Sequence, residues 1–229
     1  MRKAFEIGGL VAGAVLIVFG IVAIVMGVQG RNTVNTSLQN EYIVGSADMT
    51  PAAIKSEAQK AGVASAVTLW PTKSVAGQKI DTGSEARAFA EYMRIHTLEA
   101  TGGFTYAQMG IYAPKPGTPK AQLMPGGGTD NKAFALVDPQ TQQPVSNGAR
   151  NIWVTETALT TALNTSYMAS QLALFALVVG IALLLTGVGF VILAIGGALR
   201  SPATSLGFVH KWFPAKSPTA AKSPTARPA

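Results

Sequence analysis

Asp81-Thr82-Gly83-Ser84 has the residue order of the aspartic protease motif, in which two facing aspartates share one proton. The chain holds a single copy, so that chemistry would need two chains. A helical pattern begins directly after Ser84, so an N-cap role accounts for its hydroxyl and a turn for Gly83. His96 and Glu99 stand three residues apart on the same helical pattern, close enough to form an acid–base pair. Lone helical histidines mostly serve structure, and that is the expectation here. Gly126-Gly127-Gly128-Thr129-Asp130 lacks the Gly-Lys-Ser/Thr ending that cradles phosphate, and reads as a flexible loop. Glu85, Glu91 and Glu99 spread around their helix as a solvated or ion-paired face. With no cysteine and two histidines, the chain has no thiolate nucleophile, disulfide or Cys-ligated metal. The expectation is a non-enzyme with no catalytic residue, no cofactor and no metal.

The elements that would carry these residues are dominated by two apolar runs. Hydrophobic residues make up 48% of the 229 residues and charged ones 13%, with a mean hydropathy of +0.29. That balance suits a membrane protein. Ile7 to Val28 carries no charge and as a helix would rise about 33 Å, enough for a hydrocarbon core of about 30 Å. The run is longer than a signal-peptide core and leads into Val28-Gln29-Gly30-Arg31, which predicts an uncleaved anchor. Residues 171–199 form a second uncharged run ending at Arg200.

Arg2, Lys3, Arg200, Lys211 and Lys216 flank the spans on the terminal sides, against Arg31 and Arg150 on the loop side. The positive-inside rule then puts both termini in the cytoplasm and residues 29–170 outside. The net charge of +7 is concentrated in the last thirty residues, which carry +5, so it argues for no nucleic-acid partner. Gly9, Gly13, Gly20 and Gly27 fall near one face of the first span, and Ala173, Ala176, Gly180 and Gly187 near one face of the second. Such stripes let helix backbones approach closely, within one chain or against another copy or another membrane protein. No ionisable residue lies inside either span, so an ion path or proton relay is not marked.

Between the spans, Thr50-Pro51 and Gly62 bound a predicted helix over 51–61. The β-branched stretch Val63–Trp70 predicts a strand. A helix over 85–101 is expected to bury Ala86, Phe89, Ala90, Met93 and Thr97. Residues 110–148, rich in glycine and proline, predict a long irregular loop. From about 155 the pattern turns helical and leads unbroken into the second span, with Leu159, Leu163 and Tyr167 on one side. In the tail 200–229, Lys211, Trp212 and Phe213 have the composition of a membrane-interface segment. The KSPTA pair at 216–220 and 222–226 predicts a disordered basic end. The fold class is therefore a mainly α membrane protein, with two transmembrane helices and an α-rich extracytoplasmic domain between them.

EARAFAEYMRIHTLEATGGFTYAQMG at 85–110 and ARNIWVTETALTTALNTSYMASQLALFALVVGIALLLTGVGF at 149–190 resemble an uncharacterised family of two-span actinobacterial membrane proteins. Some members carry the label of aromatic ring-opening dioxygenase. The non-haem iron enzymes of that kind use two histidines and a carboxylate on one metal. His96 and His210 are expected on opposite sides of the membrane, so no catalytic residue carries over. The absence of a catalytic constellation leads instead to the expectation of an envelope membrane protein acting as a structural or accessory subunit, with the lipid bilayer, possible homo-oligomer contacts or other membrane proteins as partners. A small homo-oligomeric channel, or an ectodomain binding a lipid or cell-wall ligand, is the alternative.

Overall fold

The computed structural model describes residues 2–196. The tail, with the expected interface residues Lys211, Trp212 and Phe213, lies outside the described residues, as does the end of the second apolar run. Four α-helices carry the fold: α1 Arg2–Asn40, α2 Pro51–Lys60, α3 Gly83–Ala100 and α4 Gly148–Ile195. Among the described residues there is no named strand, only isolated β-bridges. The chain divides into two compact units: one comprises Met1–Val25 and Leu177–Ala229, the other Met26–Ala176.

In the first unit the apolar parts of α1 and α4 lie antiparallel. In the second, a hydrophobic core gathers Leu38 from α1, Ile54 and Ala58 from α2, Ala86, Phe89, Tyr92 and Ile95 from α3, and Leu163 from α4. α1 continues past the apolar run through a polar stretch, Gln29 to Asn40, which sequence did not single out as helical. Val34 and Leu38, one turn apart, pack on that core and account for the extension. Short polar helices of this kind are held by tertiary burial more than by propensity.

α2 begins as its sequence predicts. Thr50 is extended, its hydroxyl accepts from the Ala53 amide at 3.2 Å, and Pro51 opens the helix. Gly62, at φ +72°, then turns the chain. The strand expected over Val63–Trp70 is absent. A 3₁₀ turn occupies Ala64–Ala66, and the Val63 amide bonds back to the Ala58 carbonyl at 2.9 Å. Val63 is buried and Val67 and Trp70 pack against the core, so these residues plug the domain without any neighbouring chain to ladder with.

α3 starts two residues before the expected boundary, and its N-cap is Thr82 rather than Ser84. The Thr82 hydroxyl accepts from the Glu85 amide at 3.4 Å, and Glu85 Oε2 accepts from the Thr82 amide at 3.0 Å. This reciprocal box needs a glutamate three residues after the cap, a spacing Thr82 has and Ser84 lacks. Gly83 is the first helical residue. A Cβ there would collide with the Ser170 side chain, so glycine lets the start of α3 lie against α4. Thr82→Ala is expected to lower the unfolding free energy of this unit by about 1 kcal/mol. Ser84→Ala should change it by a few tenths at most, and chemical denaturation of the two variants distinguishes the caps.

The Gly/Pro-rich segment 110–148 is irregular in element content yet closely hydrogen-bonded. Tyr112 and Thr129 exchange two backbone bonds of 3.0 Å, and Ala113, Leu136 and Val145 are joined by bonds of 2.8–2.9 Å. Prolines at 114, 116, 119, 125, 139 and 144 withhold amide donors and keep these bridges from growing into strands. One tip is closed by Asp138, whose Oδ1 accepts from the amides of Gln140 at 2.8 Å and Thr141 at 2.9 Å. The Thr141 and Gln140 amides hold the Asp138 carboxyl below its usual range. A depressed carboxylate stabilises the turn above its ordinary pKa, and that contribution fades as pH falls through the lower, folded value. Protection of the Gln140 and Thr141 amides, their exchange taken relative to the intrinsic rate at each pH, is therefore expected to fall on acidification only below the ordinary carboxylate range, and to lose that step in Asp138→Asn.

Candidate functional site

Two arrangements are built from residues singled out by type: a glycine seam and a histidine–carboxylate cluster. In the first unit, Gly13 and Gly20 of α1 and Gly180 and Gly187 of α4 are buried. A Cβ at Gly13 would stand 2.9 Å from the Gly187 carbonyl oxygen, and one at Gly20 would stand 2.8 Å from the Gly180 oxygen. The converse contacts are as tight, 2.8 Å from Gly180 to the Gly20 oxygen and 2.7 Å from Gly187 to the Gly13 oxygen. The obstacles are backbone atoms, which cannot rotate aside. Only residues without a side chain permit this approach, and dispersion contact between the backbones is what the approach supplies.

In this unit the buried positions recur at seven: Gly13 and Gly20 on α1, and Gly180, Gly187 and Ala194 on α4; Gly27 and Ala173, in the second unit, are buried as well. A seven-residue period is shorter than two whole helical turns and favours a left-handed wrap. Gly9 and Ala176 are half-buried and lie off this repeat. In the second unit a Cβ added at Gly30 would stand 3.4 Å from the Ala173 Cβ, an ordinary contact. Gly8 and Gly189 face open space. The Thr186 hydroxyl donates to the Ala182 carbonyl at 2.7 Å and is satisfied within its own helix.

The histidine–carboxylate cluster lies in the second unit, where α2 packs on α3. Ile54 and Ala58 anchor α2 in the core, and Tyr92 and Ile95 anchor α3. That packing leaves Glu57 and His96 half-buried at the margin. Asp48 is brought in by the turn before α2, where the Met49 amide bonds the Ser46 carbonyl at 3.1 Å and Met49 itself is buried. His96 Nε2 lies 2.8 Å from Asp48 Oδ2, and Nδ1 lies 3.1 Å from Glu99 Oε2. The His96–Glu99 pair expected from spacing is thus formed, and a second carboxylate joins it.

Burial pushes the Asp48 carboxyl up, but hydrogen bonds from Ser46 and its own backbone, with the charge and hydrogen bond of His96, hold it below the usual range. Glu99 Oε1 is buried without a hydrogen-bond partner. Glu57 completes the group, with one donor atom each from Asp48, Glu57 and His96 lying within 4.8 Å of one another. Sequence reading missed Asp48 and Glu57, because nothing in their spacing from His96 signals that the three converge.

A third feature is an open apolar hollow of about 480 Å³ lined by Tyr106, Trp153, Val154, Thr157, Ala158 and Thr161. The Asp81–Ser84 stretch is occupied in capping α3, as described above. No protein-family model matches the chain, and comparisons with curated proteins and with solved structures found no match.

Proposed function

We propose that this chain is a two-span plasma-membrane protein with both termini in the cytoplasm, residues 29–170 outside, and a structural or accessory role in an envelope membrane assembly. The observation that carries the membrane reading is exposure. Both long helices contain an 18-residue stretch of high mean hydropathy, 2.9 in α1 and 2.8 in α4, yet only 17% of each stretch is buried. A core helix of a water-soluble domain hides such a stretch, whereas here Phe19, Met26, Phe175 and Leu185 are each more than 60% exposed. Lipid is the solvent that accepts that surface.

The accessory reading is supported by how the polar and small residues are used. Asp-Thr-Gly-Ser serves as a helix cap, and Gly13, Gly20, Gly180 and Gly187 are taken up by one another. Association with a second copy or another membrane protein then falls to the outward apolar faces of the spans and to the hollow at Tyr106 and Trp153. Extraction in mild detergent followed by native mass measurement tests this. A defined homo-oligomer or a complex of fixed composition is the expected result, and a chain that stays single at every detergent and lipid content tried contradicts it.

A further inference from the structure

We propose that Asp48, Glu57 and His96 bind a divalent transition-metal ion of the zinc class, with Glu99 as the carboxylate that orients the imidazole. The three donors come from three segments, the turn before α2, α2 itself and α3, and His96 links them. Donors on a tetrahedral ion at about 2.0–2.1 Å stand roughly 3.3 Å apart. The Nε2–Oδ2 contact therefore opens from 2.8 Å by about half an ångström, and the widest pair, at no more than 4.8 Å, closes by at most about 1.5 Å. All three side chains are half-buried, so small χ rotations at the domain margin make these shifts.

The far side of the ring carries an independent argument. Nδ1 faces Glu99 Oε2 at 3.1 Å, the arrangement in which a carboxylate holds the proton on one nitrogen and directs the lone pair of the other at a metal. One imidazole among oxygen donors disfavours magnesium and calcium, which take all-oxygen shells, and suits zinc and its first-row neighbours. Two carboxylates balance the charge of the ion, and three protein ligands leave a fourth position for water. In a domain without cysteine such an ion would tie the turn, α2 and α3 together.

The test uses the full chain in detergent micelles, with any tag removed and metal stripped by chelator, titrated with Co²⁺ and then Zn²⁺. The expected result is one saturating equivalent of Co²⁺ with a visible ligand-field spectrum, displaced by Zn²⁺, and a rise in Tm with Zn²⁺ concentration. Glu57→Gln and His96→Gln should each weaken binding more than about tenfold, and Glu99→Gln by about tenfold. The exposed Glu41→Gln should leave it unchanged. Circular dichroism without metal shows that each variant is folded, and half-exposed Glu57 makes its variant the decisive one. Absence of a saturable equivalent, or equal binding in Glu57→Gln and the unaltered chain, overturns the proposal.

Discussion

Replacing Gly20 with leucine is expected to force the two apolar helices apart and to cost about 3 kcal/mol, the upper part of the range for overpacking a tight contact. A Cβ at Gly20 already stands 2.7 Å from the Leu184 amide nitrogen and 2.8 Å from the Gly180 oxygen, and the rest of a leucine has nowhere to go. Gly20→Ala should fall between leucine and glycine. The control is Gly8→Leu, at a position with nothing within 4 Å, which should be neutral or stabilise slightly because leucine is the better helix former. Dyes on cysteines introduced at Phe5 and Ile195, both exposed, report the pairing by energy transfer during titration with SDS. Separation at lower SDS in Gly20→Leu and an unchanged midpoint in Gly8→Leu are the expected pair of results; equal midpoints would show that the seam does not hold the helices.

Trp153→Ala should be the most damaging single change in the second unit, at about 3–5 kcal/mol. Trp153 is 3% exposed and packs with Leu98 and Met109. Its indole N–H donates to the Phe104 carbonyl at 2.8 Å and lies 3.3 Å from the Thr101 hydroxyl, while Arg94 lies over the ring at 5.2 Å. Truncation empties the cluster and removes the donor that α4 offers to the chain after α3. Trp153→Phe retains most of the apolar area and loses the donor, for about 1–2 kcal/mol. Thermal unfolding of the two variants separates these contributions. A phenylalanine variant as unstable as the alanine one would mean that the hydrogen bond, not the packing, dominates.

The helical elements were the legible part of the chain, because each is announced by a local pattern. Thr50-Pro51 and Gly62 bracket α2, and the uncharged runs announce the apolar lengths of α1 and α4. The extension of α1 through Asn40 was not legible, since Val34 and Leu38 are its only large apolar residues and tertiary contact holds it. The segment Val63–Trp70 misled in the opposite direction: its β-branched residues suit a pleated surface, but the fold supplies no neighbouring strand. The Thr82 cap is written as Thr-x-x-Glu, but the helical pattern starting after Ser84 drew the expected cap two residues too far along. In the histidine–carboxylate cluster, the His96–Glu99 pair follows from helical geometry. Asp48 and Glu57 reach it through the packing of α2 on α3, which no local pattern encodes.

The central claim, two membrane-crossing helices with the intervening domain outside, is tested most directly by thiol labelling in intact cells. The chain has no native cysteine, so single cysteines can be placed at Gln140, exposed in the second unit, and at Ser217 in the C-terminal tail. An impermeant maleimide should label Gln140→Cys in intact cells and Ser217→Cys only after lysis. Labelling of Ser217→Cys without lysis, or release of the chain from membranes by alkaline carbonate, would contradict the account.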